Sequence, residues 1–288
     1  MRRLWLVTTA HLEEGLWFRD EEDFKVAMNF VAIQAHNGKV VVLAFILMSN
    51  HVHFVLRGSK EDVIEFMIAF KHRYSLYFRR KYGIKELLRE NDVNLVEIPI
   101  EDEAPERAIA YVLMNCVAAN ICSHPSQYPW GTGNVFFNSA PVTGKNIGCF
   151  SMRALKRLLH SNCDALPGNW IVSTDDYILP QNYADVKAVE ACFRSPKRMN
   201  YFLMNSSKAK KRIDSEDHIP AFRDQTIIAT LPDLCMSLFG RRSYADLLPE
   251  EQTELVRQIR YRFSANVNQI ARVCGISYDE AARKMDAA

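Results

Sequence analysis

Two histidines stand two residues apart in the stretch Phe45 to Gly58, which reads FILMSNHVHFVLRG. On a β-strand, residues i and i+2 share a face with Cα atoms about 6.5–7 Å apart. His51 and His53 can therefore converge on one divalent ion without distorting the backbone, and imidazole is a common metal ligand. The same spacing also occurs in ordinary hydrogen-bonded hairpin histidines, so the pair is a candidate metal site and no more. Further along, Tyr111 and Asn115 lie four residues apart in a helical pattern, one turn from each other on one face. Ala108 and Ala118 beside them leave room for close docking, though helix packing alone accounts for alanines as well. A third group is KHRYSLYFRRKYG, in which Lys71, Arg73, Arg79, Arg80 and Lys81 interleave with Tyr74, Tyr77, Phe78 and Tyr82. Cations attract phosphate and aromatic rings can stack on unpaired bases. The competing reading has these rings packed on a sheet and only the basic side facing a nucleic-acid backbone.

The elements that must hold these residues follow from patterning. Val40 to Met48 and Val52 to Leu56 are apolar runs meeting at Ser49-Asn50, which predicts two strands and a tight hairpin. Alternation puts Val52, Phe54 and Leu56 on one face and the histidines on the other. Leu4 to Thr9 reads as an earlier strand. Asp20 to Ala35 has apolar residues at 24, 26, 27, 30, 31 and 33 behind an acidic first turn, a helix that Asn37-Gly38 ends. A long helix spans Glu61 to Tyr82 and closes at Gly83. Val93 to Ile98 is β-like. The acidic run 101–103 leads into Pro105, the start of a helix to about Ile121 with the stripe Ile109, Val112, Leu113, Cys116 and Val117. Strand, helix, strand, strand in that order predicts an α+β fold with a mainly antiparallel sheet.

Composition bounds the rest. With 288 residues the chain can hold one large domain or two to three small ones. Its 48% hydrophobic content supports a core, and a net charge of +2 selects no partner class. Seven scattered cysteines without a CxxC pair argue against a disulfide framework or zinc ribbon and fit a reducing cytosol. The opening MRRLWLVTTAHLEEG has too short an apolar run for a signal peptide, and no run approaches the ~20 apolar residues of a membrane span. The expectation is a soluble, cytoplasmic protein.

Residues 136–235 are loop-rich, with short helices over Ser151 to His160 and Val186 to Phe193 and a basic linker at 207–212. From 236 a compact helical unit follows. Leu255 to Phe263 is one helix, and NVNQIARVCGISYDEAARKM resembles a helix-turn-helix: Ala271 at the close crossing, Gly275 at the turn, Ile270 and Ile276 in its core. The next helix, from near Ser277, would enter a major groove. Its acidic start at Asp279 and Glu280 makes a protein-contacting helical hairpin the alternative.

MSNHVHFVL resembles the MPNHVHLLV signature of the HUH single-strand DNA endonucleases, within which the chain is most similar to the single-tyrosine, REP-associated tyrosine transposases. YVLMNCVAANICSHPSQYPWGT is similar to that family's YIHLNPVKAGLV segment followed by its YPWSS element. Ser49 stands where the signature has proline, and Cys116 replaces another proline. The resemblance covers roughly residues 1–135. It implies a ferredoxin-like antiparallel sheet with packed helices in a transposase domain over 1–135; the residue pattern adds an extension over 136–235 and a helix-turn-helix-like DNA-binding unit over 236–288. The resemblance implies Tyr111 as nucleophile, His51, His53 and Asn115 as ligands of Mg²⁺ or Mn²⁺, and single-stranded or hairpin DNA with REP-like palindromes as substrate. The chemistry of the ligands alone would also allow zinc. The implied reaction is strand cleavage and rejoining through a 5′-phosphotyrosine bond, in a nucleoid-associated protein with no membrane partner, as a monomer or homodimer. Tyr74 is the rival nucleophile, although position 78, four residues on, is Phe. Asp102 or Glu103 could replace Asn115 as a ligand. The other function classes are a domesticated, non-catalytic hairpin binder and an RNA-binding sheet.

Overall fold

The computed structural model describes residues 3–9, 16–83, 93–119, 121–161, 165–206, 224–263 and 265–286. The first six elements are β1 (Arg3–Thr9), α1 (Glu21–Asn37), β2 (Val41–Met48), β3 (His51–Gly58), α2 (Lys60–Tyr82) and β4 (Val93–Ile98). The strands form one sheet in the order β2-β3-β1-β4, every neighbour antiparallel. This is the ferredoxin-like α+β arrangement expected from the sequence. Local chemistry fixes the boundaries. The Asp20 side chain accepts the Asp23 N–H at the start of α1, and Ser59 accepts that of Asp62 at the start of α2. Gly83 closes α2 at φ 74°.

The two faces of the sheet have different tasks. Val7 and Phe45 each pair with Phe54, and the Phe54 ring meets Phe66 and Phe70 of α2 edge-on at 5.6 and 5.9 Å. The helices α1 and α2 cover this face. The register Thr8↔His53 turns the histidines to the opposite face, where α3 (Ala104–Leu113) packs on β2 and β3. The helix expected to reach Ile121 breaks instead at Met114 and resumes briefly as α4 (Asn115–Ala118). Its cause is local. Asn115 Nδ2 donates to the carbonyls of Tyr111 (2.9 Å) and Val112 (3.1 Å), competing for groups that would continue the helical ladder.

The middle of the chain joins this first core. It contributes the two-residue strands β5 (Lys145–Asn146) and β6 (Ile171–Val172), and the helices α5 (Met152–Leu159), α6 (Val186–Phe193) and α7 (Pro196–Met204). The hydrophobic core around the sheet extends to Leu203. The edge of β2 is covered twice: Leu47 N–H donates to Trp130 O and Thr132 N–H to Phe45 O, while Asp185 N–H donates to Val42 O.

A second core is built by α8 (Asp224–Phe239), α9 (Pro249–Phe263), α10 (Val267–Cys274) and α11 (Tyr278–Asp286). Ile270 and Ala271 are buried in it, Ile276 packs against it, and Gly275 takes the left-handed turn at φ 68°. The basic run at 207–212 and Cys163 lie outside the described residues. The other six cysteines are free thiols. Among the described residues no helix is long and apolar enough to cross a membrane.

Candidate active site

Residues from two elements meet on the α3 side of the sheet. The rings of His51 and His53 are 4.8 Å apart and perpendicular (88°), and the Tyr111 ring stands edge-on to His53 at 5.7 Å. His53 is 1% exposed and His51 6%, so the histidines form a floor, with Tyr111 half-buried above them. Each imidazole is oriented through Nδ1. That of His53 is 3.0 Å from Thr8 Oγ1, across the β1–β3 pair, and that of His51 is 2.8 Å from Asn50 Oδ1. An amide oxygen only accepts, so His51 Nδ1 is the donor in this contact. The Nε2 atoms of both rings are buried. The backbone between them is pinned by the Val52 N–H, which donates to Thr9 Oγ1 at 3.0 Å. Burial raises the pKa of the Tyr111 hydroxyl, so it is a neutral phenol at neutral pH.

A pair of imidazoles with oriented Nδ1 atoms suits a divalent cation held through Nε2, with polar partners fixing each ring from behind. Among the described residues no three His, Cys, Asp or Glu side chains form a ready metal cluster. Among the described residues, further ligands would be amide, water or substrate oxygens. Asn115 is buried one turn beyond Tyr111, across the helix break, with its amide nitrogen on its own helix carbonyls. Glu103 lies elsewhere: it pairs with Arg198 of α7 (2.9 Å) and Arg107 (3.4 Å), and so ties α7 to the start of α3.

Tyr74 is not a competitor. It is fully buried on the α2 side of the sheet, its hydroxyl donates to the Trp17 carbonyl, and burial pushes its pKa well above the ordinary tyrosine value. Tyr77 and Phe78 are buried with it, so these rings are core rather than base-stacking platforms.

The basic residues of α2 lie behind the sheet relative to the histidines. Their end of the helix is nevertheless the relevant one. The 23 residues of α2, about 34 Å, run back past the 8-residue β3, about 26 Å. Arg79 and Arg80 are exposed at the same end of the sheet as His51. Lys81 is engaged in an acidic cluster, 2.6 Å from Asp20, 2.9 Å from Asp23 and 3.2 Å from Glu22. Burial alone would lower its pKa, but the hydrogen bonds to Asp20 and Asp23 outweigh it and hold the ammonium well above its usual value. Arg73 reaches Ser161 at 3.4 Å. Lys71 and Arg79 line a groove of about 580 Å³ between α2 and β4, with Ile68, Leu76 and Leu95. That groove is on the face away from the histidines and takes no part in the site.

Sequence reasoning did not single out Thr8, Asn50 or Asp224. Asn50 had a signal, a polar turn residue abutting a candidate ligand. Thr8 had none, because alternation gives faces but not register between strands. Asp224 accepts a hydrogen bond from Ser49, the residue in the signature's proline position, across 175 positions of sequence.

Comparison with protein-family models and with curated proteins finds no match. Among solved structures, the chain is similar to a REP-associated tyrosine transposase bound to a REP hairpin, with a TM-score of 0.38 and 13% identity over 59% of this chain and 93% of that one. Likeness of that strength carries no argument about function, which rests on the site residues themselves.

Proposed function

We propose that the chain is a transposase-type endonuclease that cleaves and rejoins single-stranded or hairpin DNA through Tyr111. The observation that carries this reading is the convergence of His51 and His53 from β3 with Tyr111 from α3, the residue set that the sequence resemblance implies. In the reaction, Tyr111 Oη forms a bond to phosphorus as the bond from phosphorus to the 3′-oxygen breaks. The phenolic proton passes to water or a base, and the departing 3′-oxygen takes up a proton. A 5′-phosphotyrosine and a free 3′-hydroxyl result, and the conserved phosphoester energy allows rejoining without ATP. His51 and His53 would hold Mg²⁺ or Mn²⁺ through Nε2, with Asn115 as the third protein ligand through Oδ1. Such an ion, when bound, polarises the scissile phosphate and stabilises its developing charge. Thr8 and Asn50 keep both rings aimed.

Arg79 and Arg80 would contact the backbone of DNA that wraps the end of the sheet, and α11 would dock a flanking duplex. REP-like palindromes in the chromosome are the substrate class, which puts the protein in the cytoplasm at the nucleoid, as a monomer or homodimer. The second reading is hairpin binding without cleavage.

The test is to incubate the protein with labelled hairpin oligonucleotides from the DNA flanking its own gene, with Mn²⁺ or EDTA. A metal-dependent covalent adduct, absent in Tyr111→Phe and in His53→Ala, is the expected result. Tight hairpin binding with no adduct in any metal would leave the second reading.

A further inference from the structure

One buried carboxylate joins the two cores at the turn that carries the histidines. Asp224, the first residue of α8, is 7% exposed. Ser49 Oγ of the β2–β3 turn donates to its Oδ2 at 3.2 Å. From the other side, α10 supplies three more donors: Gln269 Nε2 to Oδ1 at 2.9 Å, Arg272 Nε to Oδ2 at 2.7 Å and an Arg272 terminal nitrogen to Oδ1 at 3.3 Å. The next residue repeats the link, as Gln225 Nε2 donates to the Phe18 carbonyl at 2.9 Å. Phe18 and Trp17 in turn give their N–H groups to the Ser49 carbonyl at 3.1 and 2.8 Å. Ser49 is thus held through both its backbone and its side chain. The neighbouring Asn50 is the residue that orients His51. A carboxylate with four charge-assisted or polar donors in a low-dielectric setting has one well-defined position, and the groups around it share that position.

We propose that Asp224 is a positioning residue through which the C-terminal helical unit sets the geometry of the His51–His53 hairpin. While α10 holds the carboxylate through Gln269 and Arg272, the Ser49–Asn50 turn is fixed and His51 is aimed at the site. When α10 moves, the turn loosens. Engagement of the C-terminal unit is thereby read out at the histidines. The consequence for strand cleavage rests on the function proposed above; the mechanical coupling does not.

The test uses the full-length protein and the variants Asp224→Asn, Arg272→Met and Ser49→Ala. Hydrogen exchange is followed at the amides of Trp17, Phe18 and Val52, whose bonding depends on the position of the turn. All three variants should exchange there about tenfold faster, while the amides of α2 keep their protection. Combining Ser49→Ala with Arg272→Met should add little to either change alone, because both act through one carboxylate. In the adduct assay the same variants should lower the rate of covalent attachment about tenfold or more. Ser49→Ala removes only a hydroxyl, so it keeps the test valid if Asp224→Asn does not fold. Unaltered exchange at Trp17, Phe18 and Val52 in both Ser49→Ala and Arg272→Met would overturn the coupling. If the wild type forms no adduct, the nuclease reading fails while the exchange result still decides the coupling.

Discussion

At the scale of single residues, the site depends on groups that touch the histidines from behind. Thr8 and Asn50 each hold one Nδ1. Thr8→Val and Asn50→Ala should therefore weaken Mn²⁺ binding 10–100-fold, roughly the loss typical of removing such a partner, with the fold unchanged by circular dichroism. Titration calorimetry on the DNA-free protein measures this apart from any cleavage. Tyr111 makes a second prediction. Its hydroxyl pKa is raised by burial, so below that value the tyrosinate fraction grows about tenfold per pH unit. Adduct formation should accelerate with that slope between about pH 6 and pH 8, without a descending limb from tyrosine. A flat profile would show that the proton is not lost before attack. The histidine pair was legible in the sequence through its spacing on a strand, whereas Tyr111 was joined to it only by the resemblance of the surrounding motifs. The supports of the histidines were not legible, because the β1–β3 register that sets Thr8 beside His53 is decided by packing of the whole sheet.

At the scale of elements, α2 shows how a charge pattern can mislead. Its length, caps and buried aromatic side follow from the sequence, but which cations face outward does not. Lys81 meets Asp20 and Asp23 from across 61 and 58 positions and clamps the end of α2 to the start of α1. Asp23 is fully buried and also accepts from Tyr77, Tyr82 and the Arg19 N–H. Lys81→Met should thus cost about 3 kcal/mol, the lower end for breaking a buried pair, since those donors remain. Urea melts at neutral pH measure it. Asp20 adds a pH dependence: burial would raise its pKa, but the Lys81 hydrogen bond prevails and lowers it. Its contribution is then present above the unfolded carboxylate value of about 4 and is lost as pH falls through the lower folded value. The gap between wild type and Lys81→Met should narrow in acid. Arg80, exposed beside it, is one of the two arginines proposed to meet phosphate. Arg80→Ala should reduce the salt dependence of hairpin binding by about one unit of slope.

At the scale of the whole molecule, the middle segment works as an edge and a brace. Its α5 and α6 answer to the helices expected over 151–160 and 186–193, but the contacts that fasten the segment to the sheet and to α3 were not legible: Asp185 N–H on Val42 O, Arg57 with Asp185 at 2.8 Å, and Arg198 with Glu103 and Glu106 on α3. Such contacts leave no pattern in a sequence. The segment 130–132 seals the same β2 edge beside the site, since Gly131 bridges Ile46, and Ile46 is the cross-strand partner of His53. A Cβ at Gly131 would lie 2.5 Å from Phe45 O and 3.0 Å from Ile46 Cα. Both are backbone atoms, so the strand or the segment must give way. Gly131→Ala should cost about 2 kcal/mol and lower Tm by about 6 °C. Gly83 is the control: nothing lies within 4 Å of its added Cβ, and only its φ of 74° opposes alanine, at about 1 kcal/mol. The strain at 131 should also reach the histidines through Ile46, so Gly131→Ala should weaken Mn²⁺ binding while Gly83→Ala leaves it intact. If Gly131→Ala melts with the wild type, the segment does not press on β2, and the brace that holds His53 has to be sought elsewhere along that edge.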